Sequence, residues 1–115
     1  MKEIIDNTVF FNTKEILISD INSALDLAIN TKISENISNI ILYKESIFDD
    51  FFDLKTKFAG EILQKYVNYG IRLAIVGDFT NVKSKALKDF IYECNNGKYF
   101  YFVSSLDEAV KKLNM

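Results

Sequence analysis

Residues 71–79, with the sequence IRLAIVGDF, decide the fold class. Leu73 to Val76 are all apolar, so a strand here has no polar face, as is typical of an interior parallel strand covered on both sides. Gly77 and Asp78 interrupt the apolar run, and we expect the strand to end there. Parallel strands require crossover connections, which are usually helices, so the flanking sequence should alternate between strands and helices.

The flanking sequence shows that alternation. Short apolar or β-branched runs predict further strands at EII and TVFF around Asp6-Asn7, at EILIS (15–19), at NIILY (39–43) and at KYFYFV (98–103). Apolar residues at helical spacing predict helices after Ile21, within 51–70, at 87–94 and from Ser105, which opens a capping box. We therefore expect a single α/β domain over residues 1–115, with a mixed, mostly parallel sheet flanked by about four helices.

The composition excludes several kinds of active site. There is no histidine, which rules out Ser-His-Asp triads, Cys-His nucleophiles and histidine metal sites. The single cysteine, Cys94, lies on the apolar side of its predicted helix, so we expect a buried structural thiol. We predict no metal and no cofactor.

The charge pattern gives no reason to expect nucleic acid or a membrane as a partner. The 14 basic and 16 acidic residues are spread along the chain, without a basic tract or an acidic tail. The sequence contains neither a signal-like apolar run nor a stretch long enough to cross a bilayer. A cytoplasmic protein is the expectation.

The stretch FFDLKTKFAGEILQKYVNYG (51–70) has the pattern of an amphipathic helix with a glycine inside it. Charged residues of alternating sign recur at four-residue steps and would form an outward ladder: Asp53, Lys57, Glu61 and Lys65. Gly60 costs about 1 kcal/mol relative to alanine in a helix interior. It is tolerated where a neighbouring backbone comes close, or where the helix begins only just before it.

A late helix start would make Asp53 the N-cap. Lys55 and Thr56 would then lie in the first turn, near the positive end of the helix dipole. A phosphate group is favoured at such an end, so Thr56 is a candidate phosphorylation site.

The segment Gly77-Asp78-Phe79-Thr80 follows the strongest predicted strand, and Tyr43-Lys44-Glu45 follows NIILY at the same edge of the sheet. Ligands of open α/β sheets bind at this carboxyl edge. However, no glycine-rich phosphate-binding loop is present, so a strand-end turn capped by Asp78 is the alternative interpretation.

Four consecutive aromatic residues, Tyr99 to Phe102, exceed what one sheet face can bury. We expect some of these rings to be exposed or to lie at an interface, and homodimerisation through this strand surface is a prediction.

Three segments together resemble an uncharacterised bacterial family, domain of unknown function 4180: FFDLKTKFAGEILQKYVNYGIRLAIVGDF, SKALKDFIYECNNG and YFVSSLDEAV. The resemblance extends over roughly the last two-thirds of the chain. Lys57 stands where such a motif would have glycine, and the family name implies kinship without an activity.

The order of elements is also similar to that of STAS domains, found in anti-sigma-factor antagonists. In that fold a strand leads through a loop to a helix whose first turn carries a phosphorylatable Ser or Thr after an Asp. Asp53 and Thr56 occupy the comparable place here, although the loop is longer and a DSxG-like motif is not intact.

The resemblance implies a STAS-like, non-enzymatic interaction or regulatory module with a protein partner. Its predicted surface consists of Asp53, Thr56, Lys57, Gly60, Glu61, Asp78 and Thr80. One alternative is a small-molecule-binding protein or small enzyme with a strand-end pocket, whose acid–base groups would be Asp53, Lys57, Glu61, Asp78 and Glu93. A second alternative is an immunity or inhibitor protein that masks a toxin or an enzyme.

Overall fold

The computed structural model describes all 115 residues of the chain. Its strands are β1 (Lys2–Ile5), β2 (Thr8–Phe11), β3 (Asn39–Tyr43), β4 (Arg72–Val76) and β5 (Phe100–Val103). Its α-helices are α1 (Ile21–Glu35), α2 (Phe58–Tyr69), α3 (Lys85–Asn95) and α4 (Leu106–Leu113). Three short 3-10 turns, Lys44–Ser46, Asp49–Phe52 and Leu54–Thr56, connect β3 to α2. None of the helices combines the length and the apolar character that crossing a membrane requires.

The five strands form one sheet in the order β1-β2-β3-β4-β5. β1 pairs with β2 in antiparallel fashion, and the remaining pairs are parallel. The prediction of an α/β domain with a mixed, mostly parallel sheet and four helices is confirmed. The segment IRLAIVGDF contains β4, which lies between β3 and β5 as its apolar faces predicted.

The order of the parallel strands explains how the helices are divided between the two faces. Each crossover from β2 to β5 steps to the next strand in the same direction, and right-handed crossovers of that kind place their helices on one face. The larger core lies on that face and includes Ala24 of α1, Ile62 of α2 and Cys94 of α3. The smaller core on the opposite face is closed by Ala109 and Leu113 of α4.

The aromatic run before α4 is buried, and the prediction of exposed rings there is wrong for β5. Phe100 and Phe102 pack into the larger core, whereas Tyr101 packs into the smaller one. Successive side chains of a strand point to opposite faces, and both faces are covered here, so the rings are shared between two cores. Only Tyr99, just before the strand, is half-buried.

The predicted strand EILIS (15–19) is also wrong. Within this segment Ile18 forms only an isolated bridge to Ile47. The Ile18 amide donates to Ser46, and the Phe48 amide donates to Ile18, so the segment runs beside the first 3-10 turn. Both sides of β2 are already taken by β1 and β3, which leaves no place for another strand there.

Candidate functional site

The predicted site residues lie at or near the carboxyl edge of the sheet. β3 ends there and leads through the 3-10 turns to α2, and β4 ends there and leads to the loop before α3. Tyr43 pairs with Val76 at the ends of the two strands, so Lys44 and Gly77 emerge side by side. The two connections that carry the predicted residues therefore start as neighbours.

The helix within 51–70 begins at Phe58. Asp53 is not its N-cap: the Asp53 carboxylate accepts a hydrogen bond of 3.2 Å from the Lys55 amide and caps the 3-10 turn Leu54–Thr56. Lys57 holds the N-cap position of α2, with a left-handed backbone (φ 68°) and no side-chain capping bond. The predicted charge ladder is not formed either, because only Glu61 and Lys65 of its members are helical.

Thr56 therefore precedes α2 instead of lying in its first turn. Its hydroxyl oxygen lies 2.6 Å from the carbonyl oxygen of Asp50 and 2.7 Å from that of Asp53, so one proton is shared between two acceptors. The same oxygen accepts a hydrogen bond of 3.4 Å from the amide of Phe58, the first residue of α2. This single hydroxyl joins the second and third 3-10 turns, Asp49–Phe52 and Leu54–Thr56, to α2.

Gly60 is the third residue of α2 and is exposed. A Cβ atom added there would meet no atom within 4 Å, so no close backbone approach requires the glycine. Of the two explanations for a helical glycine at this position, only the late helix start agrees with the structure. Glu61, the acidic residue of the first turn, is exposed beside it.

Asp78 caps a turn at the end of β4. One carboxylate oxygen accepts hydrogen bonds from the hydroxyl of Thr80, at 2.6 Å, and from the Thr80 amide, at 3.0 Å. These two bonds, with a smaller contribution from the positive charge of Lys44, hold the pKa of Asp78 below its usual value. The exposed carboxylate and the turn thus form one unit.

Lys44 also lies at this edge of the sheet, where the sequence analysis located it without including it in the predicted surface. Its ammonium nitrogen lies 5.6 Å from the ring centroid of Phe52 and 5.4 Å from that of Phe79, within the range of cation–π attraction. The two rings, whose centroids are 6.3 Å apart, join the Asp49–Phe52 turn to the loop after β4. We call Lys44, Phe52 and Phe79 the lysine bracket.

Gly77 makes the lysine bracket sterically feasible. A Cβ atom added at Gly77 would lie 2.8 Å from the Cβ atom of Lys44, closer than real Cβ atoms approach one another. Gly77 directly follows β4, and Lys44 directly follows the neighbouring strand β3. A glycine and a lysine at these two positions are a signal in the sequence that could have identified the bracket.

A cleft of about 310 Å³ lies at the ends of β4 and β5, between α3 and α4. Asp78 and Thr80 line it, together with Glu108 of α4, whereas Asp53, Lys57 and Glu61 do not. Glu93 lies elsewhere, beside a largely apolar cavity of about 220 Å³ that is bounded by α2, α3 and the start of β5. The five acid–base residues of the alternative hypothesis therefore do not share one pocket.

The sequence matches the family described as "Domain of unknown function (DUF4180)" over residues 6–113. The chain belongs to this family. No curated protein matches it.

Among solved structures, the fold is similar to that of a candidate anti-sigma factor antagonist from Thermotoga maritima. The two chains share 17% sequence identity with a TM-score of 0.53, and the match covers 100% of this chain and 94% of the other. The domain is thus STAS-like in architecture, and a likeness at this level of identity concerns the fold alone.

Proposed function

We propose that this protein is a regulatory protein-interaction module of STAS-like type, acting in the cytoplasm, whose partner binds the surface around the start of α2. The hydrogen bonds of the Thr56 hydroxyl carry the proposal. They hold together a surface on which Asp53, Lys57, Gly60 and Glu61 are exposed. A change at the Thr56 side chain can therefore control whether the partner binds.

Phosphorylation of Thr56 is the proposed form of that control. Transfer of a phosphoryl group from ATP by a kinase replaces the hydroxyl proton, so the bonds to Asp50 and Asp53 are lost. The phosphate carries nearly two negative charges and would lie beside two carbonyl oxygens, which repel it. The 3-10 turns then open, and the surface presented to the partner changes.

The lysine bracket extends this surface to the loop after β4. Phe52 belongs to the turn whose Asp50 carbonyl binds Thr56, and Phe79 belongs to the loop that Asp78 caps. A rearrangement at Thr56 therefore reaches Asp78 and Thr80 through Phe52. The two groups of predicted residues act as one surface in this proposal.

The test is affinity purification of the tagged protein from its own cells, followed by binding measurements with the purified partner. Thr56→Ser keeps the hydroxyl and should bind as the wild type does. Thr56→Glu and Thr56→Val, which lack the donor, should each weaken binding at least about tenfold, equivalent to about 1.4 kcal/mol. Tyr92→Ser, on the exposed side of α3, is the control for an unrelated surface.

If the wild type, Thr56→Glu and Thr56→Val bind the partner with equal affinity, the proposal that the partner binds around the start of α2 is wrong. A second outcome is that the variants differ in binding but mass spectrometry finds no phosphorylated Thr56 in cells. This outcome would contradict control by phosphorylation and would still support the surface around Thr56 as the binding site.

The cleft at Asp78 favours a second candidate function, the binding of a small molecule. Its volume of about 310 Å³ lies at the lower end of the range for ligand pockets. The carboxylates of Asp78 and Glu108 would select a ligand with a cationic group. A calorimetric titration with small amines, repeated on Glu108→Gln, tests this function, and the absence of measurable binding to the wild type would contradict it.

A further inference from the structure

The strand β5 lies at one edge of the sheet, and its outer side does not pair with another strand. The Gly77 amide of the loop after β4 donates to the Val103 carbonyl, so the odd-numbered residues of β5 face β4. The backbone amides and carbonyls of Phe100 and Phe102 therefore point outward. Outward backbone groups of an edge strand are a template for pairing with a further strand.

The outward groups of Phe102 are already bonded to a side chain, that of Asn95 at the end of α3. The carboxamide oxygen of Asn95 accepts from the Phe102 amide at 2.8 Å, and its nitrogen donates to the Phe102 carbonyl at 3.2 Å. A carboxamide has the donor and the acceptor of a peptide group, so Asn95 replaces one residue of a neighbouring strand. We call this pair of bonds the Asn95 clamp.

The Asn95 clamp closes the edge because β5 is short. The strand contains four residues, of which two face outward. With Phe102 occupied, no two successive outward positions remain at which a further strand could pair. Strand addition at β5 therefore requires that Asn95 leave the edge.

The sequence of β5 contains no other protection against pairing. Residues 99–103 read YFYFV, without a charge, a proline or a glycine. Edge strands usually carry a charge or a proline that prevents pairing, and uncharged segments rich in aromatic and β-branched residues pair readily with copies of themselves. In antiparallel pairing centred on Tyr101, Phe100 of one copy lies opposite Phe102 of the other, so all outward groups exchange hydrogen bonds.

We propose that the Asn95 clamp is the device that keeps β5 from pairing with β5 of a second copy. While the clamp is closed, the protein does not associate through this edge. When the clamp is removed, two copies pair in antiparallel fashion through β5. The homodimerisation predicted through the aromatic strand thus requires the clamp to open. The clamp does not involve the start of α2, so its test is independent of the proposed function.

Sedimentation velocity over a concentration series from about 10 μM to about 1 mM tests the proposal, because weak dimers populate in this range. The side chain of Asn95→Ala cannot reach Phe102, and alanine favours the helix, so α3 is retained. This variant should dimerise with a dissociation constant at least about tenfold below that of the wild type. Asn95→Ser, whose side chain is too short to bond both groups, should do the same.

Asn96→Ala is the matched control. The Asn96 side chain donates to the Tyr92 carbonyl within α3, at 2.9 Å, and does not bond to β5. Its removal should leave the association state of the wild type unchanged.

Hydrogen exchange of the Phe102 amide shows whether the copies join at this edge. In the wild type the amide should be protected at every concentration. In Asn95→Ala it should exchange at least about tenfold faster in dilute solution and regain protection at the concentrations at which the dimer forms. The Ile75 amide, in the neighbouring strand β4, should stay protected throughout.

Two results would overturn the proposal. The first is that Asn95→Ala and Asn95→Ser, shown by circular dichroism to be folded, associate no more strongly than the wild type and Asn96→Ala. The second is that a dimer forms without renewed protection of the Phe102 amide, because the copies would then join at another surface.

Discussion

Lys57 adopts a backbone conformation that suits glycine better than lysine. Its φ of 68° is left-handed, a region that costs a residue with a Cβ atom about 1–2 kcal/mol. The exposed side chain of Lys57 belongs to the proposed partner surface.

We expect Lys57→Gly to raise the free energy of unfolding by about 0.5–1 kcal/mol, because relief of the left-handed strain exceeds the added entropy of the unfolded chain. Urea denaturation followed by circular dichroism measures the difference. Lys57→Ala is the control: it removes the charge but keeps the Cβ atom, and it should not be more stable than the wild type. A gain for both variants would show that the charge, and not the backbone, is the cause.

Cys94 makes the free energy of unfolding depend on pH in the alkaline range. Burial, and to a smaller extent the negative charge of Glu93, raises the pKa of the Cys94 thiol to about 12. In the unfolded chain the thiol loses its proton near its ordinary pKa of about 8.5. Between these values the folded state holds a proton that the unfolded state has lost, so the free energy of unfolding falls as the pH rises.

Urea denaturation at pH 8 and at pH 10 measures this fall. In Cys94→Ala the fall should be smaller than in the wild type, because the thiol no longer contributes, while every other titrating group remains. An equal fall in both proteins would show that Cys94 does not contribute.

Among the helices, α1 and α2 are joined on the larger core by Tyr66. Its ring is buried, and its hydroxyl donates a hydrogen bond of 2.7 Å to the carbonyl of Ala24 in α1. Burial raises the pKa of Tyr66, so the hydroxyl keeps its proton throughout the physiological range. Only the packing of α1 against α2 provides the acceptor for this hydroxyl.

Tyr66→Phe should lower the free energy of unfolding by about 1 kcal/mol, the usual contribution of one buried hydrogen bond. Tyr66→Ala should lower it by about 3–5 kcal/mol, because it also leaves a cavity. Thermal and urea unfolding of the two variants measure these effects. A neutral Tyr66→Phe variant would show that the hydroxyl bond adds nothing beyond ring packing.

At the scale of the whole molecule, Arg72 fastens α4 to the sheet. Its guanidinium donates to the carbonyl of Leu113 at the end of α4, at 2.8 Å, and to that of Lys98 before β5, at 2.7 Å. A third bond, of 3.1 Å, reaches the hydroxyl of Tyr101. Because α4 alone closes the smaller core, this one side chain joins a sheet face to its cover.

Arg72→Met should lower the free energy of unfolding by about 2–3 kcal/mol, since several charge-assisted bonds to carbonyl oxygens are lost. Hydrogen exchange should increase first in α4, while the amides of α1 remain protected. Lys88→Met, at an exposed position of α3, is the matched control and should leave both quantities unchanged. Uniform loss of protection in all helices would contradict a local role for Arg72.

The sequence by itself determined the elements whose periodicity is strong. β4 and the helices at Leu87 and Leu106 follow from apolar spacing and from capping residues that act within a few positions. The order of strands and helices then led to an α/β sheet, because few topologies satisfy right-handed crossovers. The predictions at EILIS and on β5 failed because they depend on tertiary structure. The first depends on which strands already pair with β2, and the second on whether both faces of the sheet are covered.

Only the tertiary structure decided where the site residues meet. The start of α2 depends on the carbonyls of Asp50 and Asp53 that the Thr56 hydroxyl binds, and the lysine bracket depends on the pairing of β3 with β4. Glu93 and Asp78 line different cavities, because Glu93 lies on the side of α3 that carries Cys94, whereas Asn95 lies on the side that lines the Asp78 cleft. Local pattern specifies which face of an element is apolar, but contacts between distant segments depend on strand register and crossover direction, which no single stretch of sequence contains.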